Sequence, residues 1–175
     1  MREGTALSGW RGVKWAVATV AIAFAASTLI WLGLMAVMET QYPVMVVESN
    51  SMYPTLKVGD LILVHGVKDP CDIRIGDIIV FRKPINPGGK PVVHRVVKKV
   101  YSHGEWRFAT KGDNNPDSLY WERDFSSEYI IGKVVYAIPL LGYVVLFMRT
   151  PLGATITIMA MITVLVIGIK AAEEE

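Results

Sequence analysis

A chain of 175 residues that is 52% hydrophobic is too apolar for an ordinary soluble domain and fits a small membrane protein with one folded domain. Its net charge of +2 offers no footing for nucleic acid or a strongly charged partner. The single cysteine, Cys71, excludes an internal disulfide and any cysteine-based metal cluster.

Trp15 to Met38 contains no charged residue. At 1.5 Å per residue such a run makes about 36 Å of helix, enough to cross ~30 Å of hydrocarbon with some tilt. Arg2, Arg11 and Lys14 precede it against Glu3 alone, so the positive-inside rule puts residues 1–14 in the cytoplasm. The run is longer than the apolar core of a cleaved signal peptide, and its exit lacks that signal's small-residue pattern; 15–38 therefore reads as an uncleaved anchor.

Residues 39–138 alternate short Val- and Ile-rich runs with Gly, Pro and Asp punctuation. Strands are predicted at Val44–Val47, Asp60–Val64, Asp77–Phe81, Val92–Val97, Trp106–Thr110 and Tyr129–Tyr136, with a hairpin turn at Tyr101–Gly104. No long helical period intervenes. The fold class is mainly β: a small extracytoplasmic barrel- or sandwich-like domain between two transmembrane helices. Val134–Met148 is uncharged but broken by Pro139 and Gly142, so a strand followed by an interfacial segment at 139–150 fits better than a further span. Leu152–Ile169, entered by Pro151 and closed by Lys170, is the second span, placed at 151–170. Residues 171–175 then form a cytoplasmic tail, and the central domain lies outside.

Chemistry concentrates at three places. In Glu48-Ser49-Asn50-Ser51-Met52-Tyr53-Pro54-Thr55 a serine lies shortly after the first span, and a serine needs a base to become a nucleophile. His94 supplies a candidate: period-2 alternation puts Val92, His94 and Val96 on one strand face, where a neutral imidazole able to accept a proton is favoured. The loop Thr110-Lys111-Gly112-Asp113-Asn114-Asn115-Pro116-Asp117-Ser118 follows a strand, and a carboxylate from it could hold the tautomer of a histidine. Each of these residues also has a plain structural role open to it: turn serine, core histidine, Asx-turn loop. The loop lacks the distal glutamate of an EF-hand, and His65, His94 and His103 show no zinc-ligand spacing, so no metal or other cofactor is expected.

These segments resemble the boxes of type I signal peptidases, specifically the archaeal and endoplasmic-reticulum branch with a serine–histidine centre. Glu48–Thr55 looks like the serine box. Gly59-Asp60-Leu61-Ile62 and Gly76-Asp77-Ile78-Ile79-Val80-Phe81 look like the next two. Val93-His94-Arg95-Val96-Val97 is similar to the box that carries lysine in the bacterial branch and histidine here, and Thr110–Asn115 resembles the last. The resemblance implies a membrane-bound serine endopeptidase that removes signal peptides from exported preproteins. It implies Ser51 as nucleophile, His94 as general base and Ser49 as oxyanion-binding hydroxyl. Asp113 lies in the last box; Asp117 is the candidate for the family's second aspartate, at a shorter spacing than the pattern, with Asp124 as an alternative. The implied partners are preprotein signal peptides, the lipid bilayer and the Sec translocon, and the implied location is the cytoplasmic (cell) membrane. Competing readings are a non-catalytic β subunit that presents preproteins to another peptidase, an autoproteolytic regulator of the same core fold, and a Ser–Lys enzyme using Lys90, Lys98 or Lys111.

Overall fold

The computed structural model describes residues 4–173, so the charges at Arg2 and Glu3 and the tail residues Glu174 and Glu175 lie outside the described residues. The chain forms two compact units, Leu34–Leu146 and a helical unit made of the segments on either side.

In the helical unit, α1 (Gly4–Val37) and α3 (Pro151–Glu173) each contain a stretch long and apolar enough to cross a membrane, Val17–Val37 and Pro151–Gly168. Pro151 opens α3, where its missing N–H costs nothing. The helix α1 begins well before the expected anchor, because Gly4 to Lys14 holds no proline to stop it.

The other unit is one antiparallel sheet. Its strands are β1 (Val44–Val46), β2 (Leu61–His65), β3 (Ile78–Phe81), β4 (Val92–Ser102), β5 (Glu105–Lys111), β6 (Phe125–Ser126) and β7 (Ile130–Ile138), in the order β1-β2-β7-β3-β4-β5-β6. All six predicted strands are present. The two-residue β6 was not predicted, since so short a strand leaves no alternation to read. The tip of the β4–β5 hairpin is the expected turn: His103 and Gly104 both take positive φ (53° and 84°), the two-residue geometry whose twist suits a hairpin. Register shifts at Leu63/Val64, Val80/Phe81 and Val96/Lys98 bend the sheet into a half-barrel.

Both faces of the sheet are apolar, and alternation assigns them. On β3, Ile78 and Val80 point to a cluster with Val47, Met52, Leu56, Ile62 and Val64. Ile79 and Phe81 point to the other cluster, with Ile73, Val96, Phe108 and Phe125. There Phe81 stacks on Phe125 with ring centroids 4.7 Å apart. Burying an aromatic of this kind contributes roughly 1.5–3 kcal/mol, so the central strands are held from both sides. A short helix α2 (Gly142–Met148) follows β7 where the interfacial segment was expected.

Candidate active site

The serine segment is built by an anchor. After β1 the chain stays extended through Ser49 (φ −139°, ψ 163°), then makes one 3₁₀ turn over Asn50–Met52. Met52, 1% exposed, plugs the first cluster, and Tyr53 returns to extended geometry before Pro54. Ser51 is thereby fixed immediately before a buried side chain. Its Oγ lies 3.2 Å from the Ser49 Oγ.

Three contacts place this turn. It abuts β4. The Ser51 carbonyl accepts the Asn114 N–H at 2.8 Å. A Cβ at Gly112 would come within 2.7 Å of that same carbonyl, so only glycine lets the loop after β5 lie so close to the serine. The pairing of β5 with β4 stops at Arg95↔Lys111, leaving Val92–His94 unpaired on that side of β4. The serine turn is tied to the loop that continues β5 from this point.

His94 faces the second cluster, as its alternation with Val92 and Val96 required, and is 3% exposed. Its ring lies 6.4 Å from that of Phe81. The partner of Nδ1 is Oε1 of Glu122, a carboxylate with no exposed surface. Glu122 ends a 3₁₀ turn at Tyr120–Glu122, and its second oxygen accepts the Leu119 N–H at 3.0 Å. A buried charge is tolerated only when paired and hydrogen-bonded; here the imidazole and a backbone N–H meet that need.

The aspartates expected to serve His94 lie elsewhere. Arg95, on the opposite face of β4 from His94, grips Asp113 bidentately, Nε to Oδ1 at 2.8 Å and Nη2 to Oδ2 at 2.6 Å. Thr55 Oγ1 donates to the same carboxylate at 2.6 Å, and Arg95 Nη1 donates to the Gly76 carbonyl at 2.8 Å. The Arg95 guanidinium, with a smaller contribution from Thr55, holds the Asp113 carboxyl below its ordinary range, and Asp113 in turn raises Arg95. Asp117 is exposed and paired with Arg123 at 3.2 Å. Asp124 is paired with Arg107 at 2.7 Å. Asp113 thus clasps the serine segment, β4 and the last loop together, while the carboxylate on the histidine is Glu122.

Asp113→Asn should therefore weaken the fold more at neutral pH than at low pH. A carboxyl held below its ordinary range contributes stability that is fully present above that range and lost as pH falls through the lowered value. Thermal melts from pH 7 down to pH 3 should show wild type and Asp113→Asn converging as the pH drops; a constant gap would refute the assignment.

The lysines offered as alternative bases are engaged otherwise where the structure shows them. Lys90 pairs with Glu48 at 2.7 Å, and Lys111 donates to the Asn115 carbonyl at 2.6 Å.

The family model described as "Signal peptidase, peptidase S26" matches residues 13–101. The chain belongs to the signal peptidase family. Among its relatives is the signal peptidase complex catalytic subunit SEC11 of Colletotrichum graminicola, 35% identical over 133 residues, which cover 73% of this chain and 76% of that protein. The subunit of the same name from Pyricularia oryzae is 33% identical over 135 residues, 73% of this chain and 76% of the relative. That of Metarhizium acridum is 33% identical over 152 residues, 81% and 86%. The chain is thus a signal peptidase of the endoplasmic-reticulum type: a membrane-associated serine peptidase that removes signal peptides from preproteins.

Glu122 of this signal peptidase was not among the residues singled out in the sequence. It lies 28 residues from His94 and outside the boxes of the family. One signal could have found it: a lone glutamate between Trp121 and Phe125, in a segment whose aromatic neighbours demand burial.

Proposed function

We propose that this signal peptidase works through Ser51 as nucleophile, His94 as general base and Glu122 as the group that orients it, with Ser49 at the oxyanion. The observation that carries the reading is the buried bond between His94 Nδ1 and the Glu122 carboxylate. An ionised Glu122 accepts the Nδ1 proton and leaves the Nε2 lone pair free to take a proton from a serine. The turn of Ser51 abuts the strand that carries this imidazole. His94 takes the Ser51 proton as Oγ attacks the scissile carbonyl, then gives it to the leaving amine; water repeats the sequence on the acyl-enzyme. Asp113 positions the serine loop through Arg95 and Thr55 and takes no proton.

The substrate enters as an added strand. Two unpaired edges support this: β1 ends the sheet, and Val92–His94 of β4 has one open side. The Lys90–Glu48 ion pair joins the chain just after β1 to the chain just before β4, so these edges lie near one another. A signal peptide laid there brings its small residues to Ser51.

Residues 1–14 and 171–175 lie in the cytoplasm and 39–138 on the far side of the membrane; 15–38 and 151–170 span it, and 139–150 lies at its surface. The positive charges Arg2, Arg11 and Lys14, which precede the apolar stretch Val17–Val37, support this orientation. The membrane is the one exported proteins cross: the cytoplasmic membrane on the sequence reading, beside relatives of the reticulum type. Preproteins arrive there from the Sec translocon, and the relatives' names describe subunits of a complex.

Full-length protein in detergent should cut a test preprotein after a small residue, giving one new N-terminus by mass spectrometry; failure to cut would overturn the proposal. Ser49→Ala should lower kcat by ~10²–10³, the usual loss on removing one oxyanion donor, with KM nearly unchanged. An unchanged kcat would remove Ser49 from the oxyanion site.

A further inference from the structure

Thr110 has no part in the mechanism above, yet the fold buries it in an unfavourable state. It is 0% exposed, and its Oγ1 is the one buried side-chain nitrogen or oxygen among the described residues with no hydrogen-bond partner. A buried hydroxyl left unbonded destabilises a fold, whereas a valine fills nearly the same space without that penalty. An orphan of this kind calls for an explanation beyond packing.

The sheet order shows what surrounds it. β5 runs between β4, which carries His94, and β6, whose preceding turn carries Glu122. Thr110 pairs directly with Val96, so the two side chains stand on one face of the sheet. Val96 belongs to the second cluster, and His94 lies two residues along the same face. On its other side β5 pairs Phe108 with Phe125 of β6, both in that cluster. Three residues before Phe125 comes Glu122, and the turn Tyr120–Glu122 abuts β5. The bond from His94 to Glu122 therefore reaches across β5, where Thr110 is the last side chain of the strand on that face. Two residues on, a Cβ at Gly112 would run into the Ser51 carbonyl.

The unused capacities of the two groups match. An ionised carboxylate accepts about four hydrogen bonds. Glu122 receives one at each oxygen, from His94 Nδ1 and from the Leu119 N–H. A threonine hydroxyl is a donor that turns to suit its acceptor, and bonds at catalytic groups often tighten only once substrate is bound. We propose that Thr110 is a positioning residue: its hydroxyl donates to the Glu122 carboxylate during acyl transfer and fixes the angle at which Glu122 holds the imidazole. This role rests on the pairing of His94 and Glu122 proposed above. A bond made during the reaction and absent at rest favours the transition state over the ground state, so it acts on kcat and leaves KM nearly unchanged.

Full-length protein in detergent, cutting a test preprotein, provides the test. Thr110→Val should lower kcat about tenfold, the scale of one hydrogen bond to a charged group, with KM little changed and a melting temperature equal to or above that of wild type. Thr110→Ser keeps the hydroxyl and should restore most of the rate. Added to Glu122→Gln, Thr110→Val should cost nothing further, because a residue that acts through Glu122 has lost its route. A wild-type kcat in Thr110→Val would overturn the proposal, as would an equal loss in Thr110→Val and Thr110→Ser. A melting temperature several degrees below wild type would overturn it too, by showing that the hydroxyl serves the resting fold. So would the full tenfold loss persisting in the Glu122→Gln background. Glu122→Gln at the wild-type rate would instead refute the mechanism itself, whereas a slow Glu122→Gln beside a fast Thr110→Val removes Thr110 alone.

Discussion

Ser51→Ala should leave a folded, membrane-inserted protein that no longer processes a preprotein. Only a hydroxyl is removed, and the features that hold the turn remain: Met52 in the core and the Ser51 carbonyl on Asn114 N–H. Thermal stability should therefore stay within the ±0.5 kcal/mol typical of changes that disturb no packing. The loss in kcat should be on the order of 10⁶, the scale reached when a serine hydrolase loses its nucleophile. Single-turnover cleavage of a labelled preprotein, read beside a melting curve, checks both halves. Retained turnover would strip Ser51 of the role, and Ser49, whose Oγ is 3.2 Å away, would be the next hydroxyl to change.

Glu122→Gln carries the second large effect. The substitution keeps shape and volume but exchanges an obligate acceptor for an amide that can donate to Nδ1. The proton is then forced to Nε2, the nitrogen that must accept from serine. A drop of about 10⁴ in kcat is expected, with KM little changed, as when the orienting acid of a serine–histidine pair is made neutral. Glu122→Asp keeps the charge one methylene short of the ring and should recover part of the rate. A merely structural glutamate would show its loss in the melting temperature and not in kcat. The reading fails if Glu122→Gln processes preprotein at the wild-type rate while Asp117→Asn does not.

The contrast between Glu122 and the aspartates shows what the sequence could tell. The sheet was legible because alternation is local: Val92, His94 and Val96 declare a buried face within five residues, and they occupy it. The serine turn was legible because Met-x-Pro fixes its exit. The proposed orienting acid was far less so, because it is contributed by a one-turn helix far along the chain, where only the aromatic neighbours of Glu122 hint that it turns inward. Of the two aspartates expected there, Asp117 and Asp113, Asp113 is the one that lies in a family box. Yet Arg95, the neighbour of His94 on the opposite face, claims it. A residue-by-residue resemblance identifies which positions matter without saying whether each one moves protons or holds the scaffold.

The late position of Glu122 has a consequence for the life of the molecule before it is finished. Ser51 and His94 are both synthesised before Glu122, and the loop that holds the Ser51 carbonyl, Gly112–Asn114, also comes after them. On the proposed mechanism, a nascent chain that has not yet reached Glu122 lacks its orienting acid and is an unarmed hydrolase.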